Sequence, residues 1–245
     1  MTEPIWVAGA DGCPGGWLVV LSDTTGSERP TARIVAAFAD ILALPEAPRV
    51  IAIDMPIGLP ERSGGGGRVP DAAARAVLGK RQSSVFAVPS RSAVMAADYW
   101  AACDAALATS DPPRKVSKQA FQLFRRIREI DLLMTPGLQQ RVFECHPEVA
   151  FWAMNASTPL DEPKKVKSAP WEPGLALRRR LLVTAGLPAS FLAETRFRRS
   201  AAGPDDFLDA CACAWSAARI LAGTAVTFPA EPPLDARGLR QEIRA

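Results

Sequence analysis

The side chains of this sequence that could do chemistry are its carboxylates. Asp11, Asp54 and Glu144 each close a predicted strand, and Asp205, Asp206 and Asp209 open a predicted helix. One histidine, His146, and one tyrosine, Tyr99, stand in 245 residues, so mechanisms that need several histidines are excluded. Five cysteines form neither a CxxC pair nor a zinc-ligand array. Asp206 and Asp209 are spaced i, i+3, which places both on one face of their helix. Ala210 and Cys213 continue that stripe with small side chains that let a helix approach a sheet closely. If the first and fourth strands are sheet neighbours, Asp11 and Asp54 lie side by side. Carboxylates crowded in this way repel one another unless a cation sits among them. Hard oxygen donors without histidine or thiolate support select Mg²⁺ or Mn²⁺. Two such ions, roughly 3.5–4 Å apart, activate water and stabilise a leaving oxygen in phosphodiester cleavage. Taken singly, Asp11 before Gly12 reads as a turn residue and Asp205 after Pro204 as a helix cap. Asp54 directly after Ile-Ala-Ile needs a partner if it is buried. Taken together, acids at four element ends indicate a site.

The elements that must position these acids are legible at the start of the chain. Ile5 to Ala8, Trp17 to Leu21 and Ala32 to Ala36 are apolar runs joined by turns too short for a helical crossover, so they form an antiparallel meander. Phe38 to Leu44 predicts a short helix, and Val50 to Ile53 a fourth strand ending at Asp54. The four glycines 64–67 cannot hold a strand or helix interior. Helices are predicted over Asp71–Lys80, Tyr99–Ala108 and Ser117–Leu133, the last with Phe121, Phe124, Ile127 and Leu132 near a 3.6 period. Arg141 to Phe143 is a brief strand ending at Glu144. Pro159 to Pro173 is a Pro/Lys-rich connection before a helix over Gly174–Ala185. A long helix runs from about Asp206 to Leu221, followed by a strand over Thr224–Phe228 and a loose polar tail. We expect one domain over 1–245, with a helical, basic insertion at about 60–140 and the C-terminal helix at about 205–222.

Composition bounds the rest. Apolar residues make up 48% and charged residues 22%, an ordinary globular balance. No apolar run reaches the roughly 20 residues of a membrane span. The start MTEPIWVAGADG has no basic leader, and the expectation is a cytoplasmic chain with reduced thiols. The net charge of +3 hides a division: residues 61–204 carry twenty-two bases against thirteen acids, while both flanks are acidic. The bases include Arg114-Lys115, Lys118, Arg125-Arg126, Arg128, Lys164-Lys165, Lys167, Arg178-Arg179-Arg180, Arg196 and Arg198-Arg199. That excess suits a polyanion, because each neutralised phosphate releases counterions, and it equally suits a solvated basic surface.

The strand–strand–strand–helix–strand order, with acids on strands one and four and on a late helix, resembles the ribonuclease H-like fold: a mixed α/β sheet flanked by helices. Five strings go further: residues 9–17 (GADGCPGGW), 53–59 (IDMPIGL), 78–86 (LGKRQSSVF), 144–148 (ECHPE) and 205–210 (DDFLDA). In that order they are similar to the prokaryotic domain of unknown function 429 family, described as predicted ribonuclease H-like nucleases. The resemblance covers about residues 5–228. It implies a metal-dependent nuclease in which Asp11, Asp54 and Asp206 or Asp209 hold the ions, with Glu144 a further ligand. His146 either orients a water or phosphate or is a structural histidine, and Glu148 either caps a helix or pairs with an arginine. Arg75, Lys80, Arg81, Ser83 and Ser84, after the glycine loop, could meet a phosphate, or could simply close a helix end. A nucleic acid of unspecified type is the expected partner, with a homodimer left open. A phosphotransferase or ATPase of the same superfamily and a non-catalytic nucleic-acid-binding module are the competing readings. The sequence has no GxxxxGK[ST] loop to favour the first of these.

Overall fold

In the computed structural model, which describes residues 2–167, 169–193 and 197–245, the chain is built on one mixed five-stranded sheet. Trp6–Cys13 (β1) and Gly16–Asp23 (β2) pair antiparallel around the Pro14-Gly15 turn, and Thr31–Val35 (β3) pairs antiparallel with β2. The short helix Phe38–Leu42 (α1) leads into Val50–Ile53 (β4), which runs parallel to β1. Then come two-residue strands at Ser63–Gly64 (β5) and Ser110–Asp111 (β6), which pair with each other. Between them lie Val69–Val77 (α2), a 3-10 turn over Gly79–Ser84, Arg91–Met95 (α3) and Tyr99–Thr109 (α4). Lys118–Leu133 (α5) returns the chain to Val142–Glu144 (β7), which pairs parallel with β4. The sheet order is therefore β3-β2-β1-β4-β7, the expected antiparallel meander extended by parallel strands. Pro147–Met154 (α6), the small ladder Lys165–Val166 (β8) with Ala169–Pro170 (β9), Glu172–Thr184 (α7) and Ala189–Ala193 (α8) follow. Pro204–Leu221 (α9) precedes a last pair, Thr227–Phe228 (β10) with Ile243–Arg244 (β11).

Strand side chains alternate between the two faces, and the sheet uses both. Val7, Cys13, Leu18, Val20, Val50 and Ala52 face one core with α6, α7 and α9. Ala8, Ala10, Val19, Leu21, Ile51 and Ile53 face a second core with α1, α4 and α5. The closest approach is at Gly9, where a Cβ would sit 2.0 Å from the Ala214 amide nitrogen and 2.2 Å from the Ala210 carbonyl oxygen. The α9 stripe of small residues is thus matched by a strand residue with no side chain, and α9 rests directly on β1. Both obstructing atoms are backbone, so neither can move aside cheaply. Gly9→Ala is expected to cost about 3 kcal/mol or more, measured as a lowered denaturation midpoint at unchanged slope; a loss below 1 kcal/mol would mean that the helix can slide.

Several expectations are corrected. Ser63 and Gly64 do form a strand, since a two-residue ladder needs no strand interior. Leu132 is 74% exposed, and the buried stripe of α5 runs instead through Phe124, Ile127 and Ile130. The tail is not loose: Leu239, Ile243 and Ala245 are buried, and Val226 and Ala245 exchange two backbone hydrogen bonds. Arg91 bridges Asp131 and Asp235, tying the tail to α5. Helix α6 has no counterpart in the sequence reading, and Arg196 lies outside the described residues. No helix among the described residues is long and apolar enough to cross a membrane.

Candidate functional site

Three acids meet at one end of the sheet. The Asp54 amide donates to the Ala10 carbonyl at 2.9 Å, continuing the parallel register one residue past Ala10–Ile53. Asp54 therefore sits beside Asp11. Asp11 shares its face with Val7 and Cys13, and Asp54 follows the alternation of Val50 and Ala52, so both acids point toward α9. From α9, Asp209 joins them, and one carboxylate oxygen from each of the three lies within 4.8 Å of the others.

Their surroundings could hold a cation. Asp11 and Asp209 are 8% and 2% exposed. None of the described residues donates a hydrogen bond to Asp11 or Asp54, and Asp209 Oδ1 is buried without a partner. Burial first, then the negative charges of its neighbours, pushes the Asp11 carboxyl well above its ordinary value. Burial and then Asp209 push Asp54 to about 8, and burial raises Asp209 to about 6 against the pull of Lys164. Among the described residues, the one cation in contact is Lys164, whose ammonium pairs with Asp209 Oδ2. Burial would lower its pKa, but Asp209, Asp11 and Asp54 raise it, so it stays charged.

A cavity of about 300 Å³ opens in front of the acids, and its lining includes Asp11, Asp54, His146, Lys164, Arg126 and apolar Leu123. Arg126 reaches it from α5 within the predicted basic insertion. Its Nη2 donates to the Cys13 carbonyl at 2.6 Å and its guanidinium lies 4.8 Å from the Trp17 ring centroid. The Arg126 side chain lies where a Gly12 side chain would be, 2.7 Å from the position of its Cβ.

The other candidates are placed differently. Glu144 pairs in register with Ile53, whose side chain faces the core opposite α9. Both Glu144 oxygens are taken: Oε1 by Arg68 Nη2 at 2.6 Å, Oε2 by Arg68 Nη1 at 2.8 Å and by the Ile57 amide at 2.7 Å. Burial raises Glu144 to about 7 even so, with Arg68 opposing. Asp206 caps α9, its Oδ2 accepting from the Gly203 amide at 2.7 Å. Asp205 pairs with Lys165 at 2.5 Å. His146 Nε2 lies 3.3 Å from the Ser84 carbonyl while Nδ1 is buried without a partner, and burial lowers its pKa, leaving the ring neutral. Glu148 takes the second of its two expected roles, pairing with the buried Arg178.

Of the five residues after the glycine loop, only Ser84 lines the cavity. Arg75 donates to the Val85 and Gly66 carbonyls, Lys80 pairs with Asp161 at the surface, Ser83 is exposed, and the buried Arg81 Nε has no partner. Sequence reasoning missed Lys164, Arg126, Arg68 and Asp71 as site or supporting residues. Lys164 and Arg126 carried no mark beyond belonging to the basic middle of the chain. Asp71 had a local signal, because its position three residues after Arg68 closes a capping box at the start of α2.

A five-stranded mixed sheet flanked by helices, with three acids gathered beside the parallel strands, defines an α/β protein with a candidate cation centre. Residues 9–234 match the family model described as protein of unknown function (DUF429), and the chain belongs to that family. No curated protein and no solved structure matches the chain.

Proposed function

We propose that this chain is a divalent-metal-dependent nuclease that hydrolyses a phosphodiester with Mg²⁺ or Mn²⁺. The observation that carries the reading is the convergence of Asp11, Asp54 and Asp209, with Lys164 on Asp209 Oδ2 and Asp209 Oδ1 left without a donor, beside a cavity that also presents cationic side chains. Three hard oxygen donors fit such an ion and fit zinc or copper poorly. When bound, the ion supplies Lewis acidity to the phosphodiester.

The protein's own residues do the remaining work. Asp11, Asp54 and Asp209 hold the charge in place. Arg126 and Lys164 draw the phosphate into the cavity. Neutral His146 offers its unpartnered Nδ1 as an acceptor. In the reaction a water oxygen bonds to phosphorus as the ester P–O bond breaks, and the proton that the water gives up to solvent is matched by one that the departing oxygen takes from solvent. The basic middle of the chain supports a nucleic-acid substrate, and the five buried cysteine thiols support a reducing, cytoplasmic setting.

The test is incubation of the full chain with RNA, DNA, hybrid and junction substrates, with and without Mn²⁺. We expect cleavage of at least one substrate that chelation abolishes. Failure to cleave any of them would overturn the reading. Turnover of a nucleoside triphosphate in place of strand cleavage would favour the phosphotransferase alternative.

A further inference from the structure

We infer that the cluster holds one divalent cation, and that the ammonium of Lys164 supplies the positive charge that a second ion would bring. This rests on the metal-site reading above and goes beyond the two ions expected from the sequence. The ionised cluster of Asp11, Asp54 and Asp209 carries three negative charges; Lys164, bound to Asp209, cancels one and leaves two, the charge of a single Mg²⁺ or Mn²⁺. Three further acids could complete a second ion's shell, and each already has a partner, Glu148 Oε1 being held by the buried Arg178. Glu144 is held by Arg68 and the Ile57 amide, and Asp206 by the Gly203 amide.

Lys164 is also positioned by the fold, unlike a surface lysine that happens to lie nearby. Its carbonyl accepts from the Trp171 amide at 2.9 Å. Two residues earlier, the Glu162 carbonyl accepts from Arg178 Nη1 at 3.1 Å, and Arg178 is fully buried and paired with Glu148. Pro163 presses against α7 at Gly174, where a Cβ would lie 1.8 Å from the Pro163 carbonyl oxygen. Lys165 is anchored in turn on Asp205. The segment carrying Lys164 is thus fastened on both sides of the residue, with its ammonium delivered into the acids.

The experiment counts Mn²⁺ bound per chain by electron paramagnetic resonance, for the parent, Lys164→Met, Lys164→Gln and Lys164→Arg, with thermal unfolding as the check that each variant folds. The parent is expected to bind one ion. Losing the competing charge in Lys164→Met, or in Lys164→Gln should the first not fold, should add a second ion or tighten the first about tenfold or more. Lys164→Arg should keep one ion at parental affinity. Two ions in the parent, neutral variants matching the parent in count and affinity, or Lys164→Arg behaving as a neutral variant would each overturn the inference while leaving the metal site standing. Absence of Mn²⁺ binding in the parent and every variant would overturn the metal-site reading itself.

Discussion

Asp54→Asn is expected to slow hydrolysis about 10³-fold and, in metal-free buffer, to raise the unfolding temperature. Both effects come from one cause. Three acids are held together with a single lysine in contact, and burial with Asp209 lifts the Asp54 carboxyl to about 8. A carboxyl whose folded pKa exceeds its unfolded value, here 3.8, binds its proton more tightly in the native state. The native protein is therefore favoured at low pH, and that advantage drains away as pH rises from about 4 through about 8. The metal-free parent should melt about 4 °C or more lower at pH 8 than at pH 6, given roughly 2–4 °C per kcal/mol for a chain of this size. Asp54→Asn cannot ionise, so its slope should flatten and its midpoint at pH 8 should exceed the parent's. Mn²⁺ reverses the sign for the parent, because the ion favours the ionised acids, and its stabilisation should grow with pH. At about one hundred times its Kd that stabilisation is about 2.7 kcal/mol. The asparagine variant should gain almost none of it, and kcat should fall about 10³-fold, the rate equivalent of several kcal/mol of lost electrophilic help. A variant that keeps both its Mn²⁺ stabilisation and its rate would remove Asp54 from the site.

How far this arrangement was legible in the sequence depends on the range of the interaction that sets it. The meander and β4 follow from local pattern: apolar runs, short turns and Asp54 at a strand end. The Asp11–Asp54 pairing needed only the further step of placing strands one and four side by side, which the parallel register confirms. Asp209 was distinguishable from Asp206 only through the start of α9, since a helix beginning at Pro204 makes Asp206 the capping acid. Glu144 was readable as a strand-end acid but not as one facing away from α9, because a three-residue strand has too few side chains to declare its phase. Lys164 lay beyond local reading altogether. Its neighbours Lys165 and Lys167 share its composition, and only the Trp171 and Arg178 contacts, seven and fourteen residues on, decide which lysine enters the acids. The buried tail escaped for a related reason: its apolar residues are isolated singles whose burial depends on partners such as Gln139, which holds the Arg240 backbone from 101 residues away.

Arg68→Met is expected to be the most destabilising of the polar substitutions, and it separates the supporting network from the cation centre. Arg68 is 2% exposed and donates to Glu144, Asp71 and the carbonyls of Ile57 and Gly58. Asp71 passes the connection on, its Oδ2 accepting from the amides of Arg68 and Val88. One guanidinium thus fastens α2 and the Ile57-Gly58 segment after β4 to the end of β7. Methionine keeps much of the volume and leaves two buried carboxylates unpaired, at a cost of about 3–5 kcal/mol. Burial already holds Glu144 at about 7, above its ordinary 4.5, with Arg68 pulling it down. Without Arg68 the value rises further, so the variant should recover stability on acidification, as protonation neutralises the stranded acids, and lose it as pH climbs. Adding Glu144→Gln to Arg68→Met should restore part of the loss at neutral pH, because it removes one of those charges. Mn²⁺ should leave most of this penalty in place, since Glu144 is not among the three clustered acids and acts on them only through its charge on Asp54. Glu144→Gln alone should likewise bind Mn²⁺ within a few-fold of the parent. Loss of Mn²⁺ binding in that folded single variant, measured by the same titration that Asp54→Asn fails, would move Glu144 from the supporting network into the site.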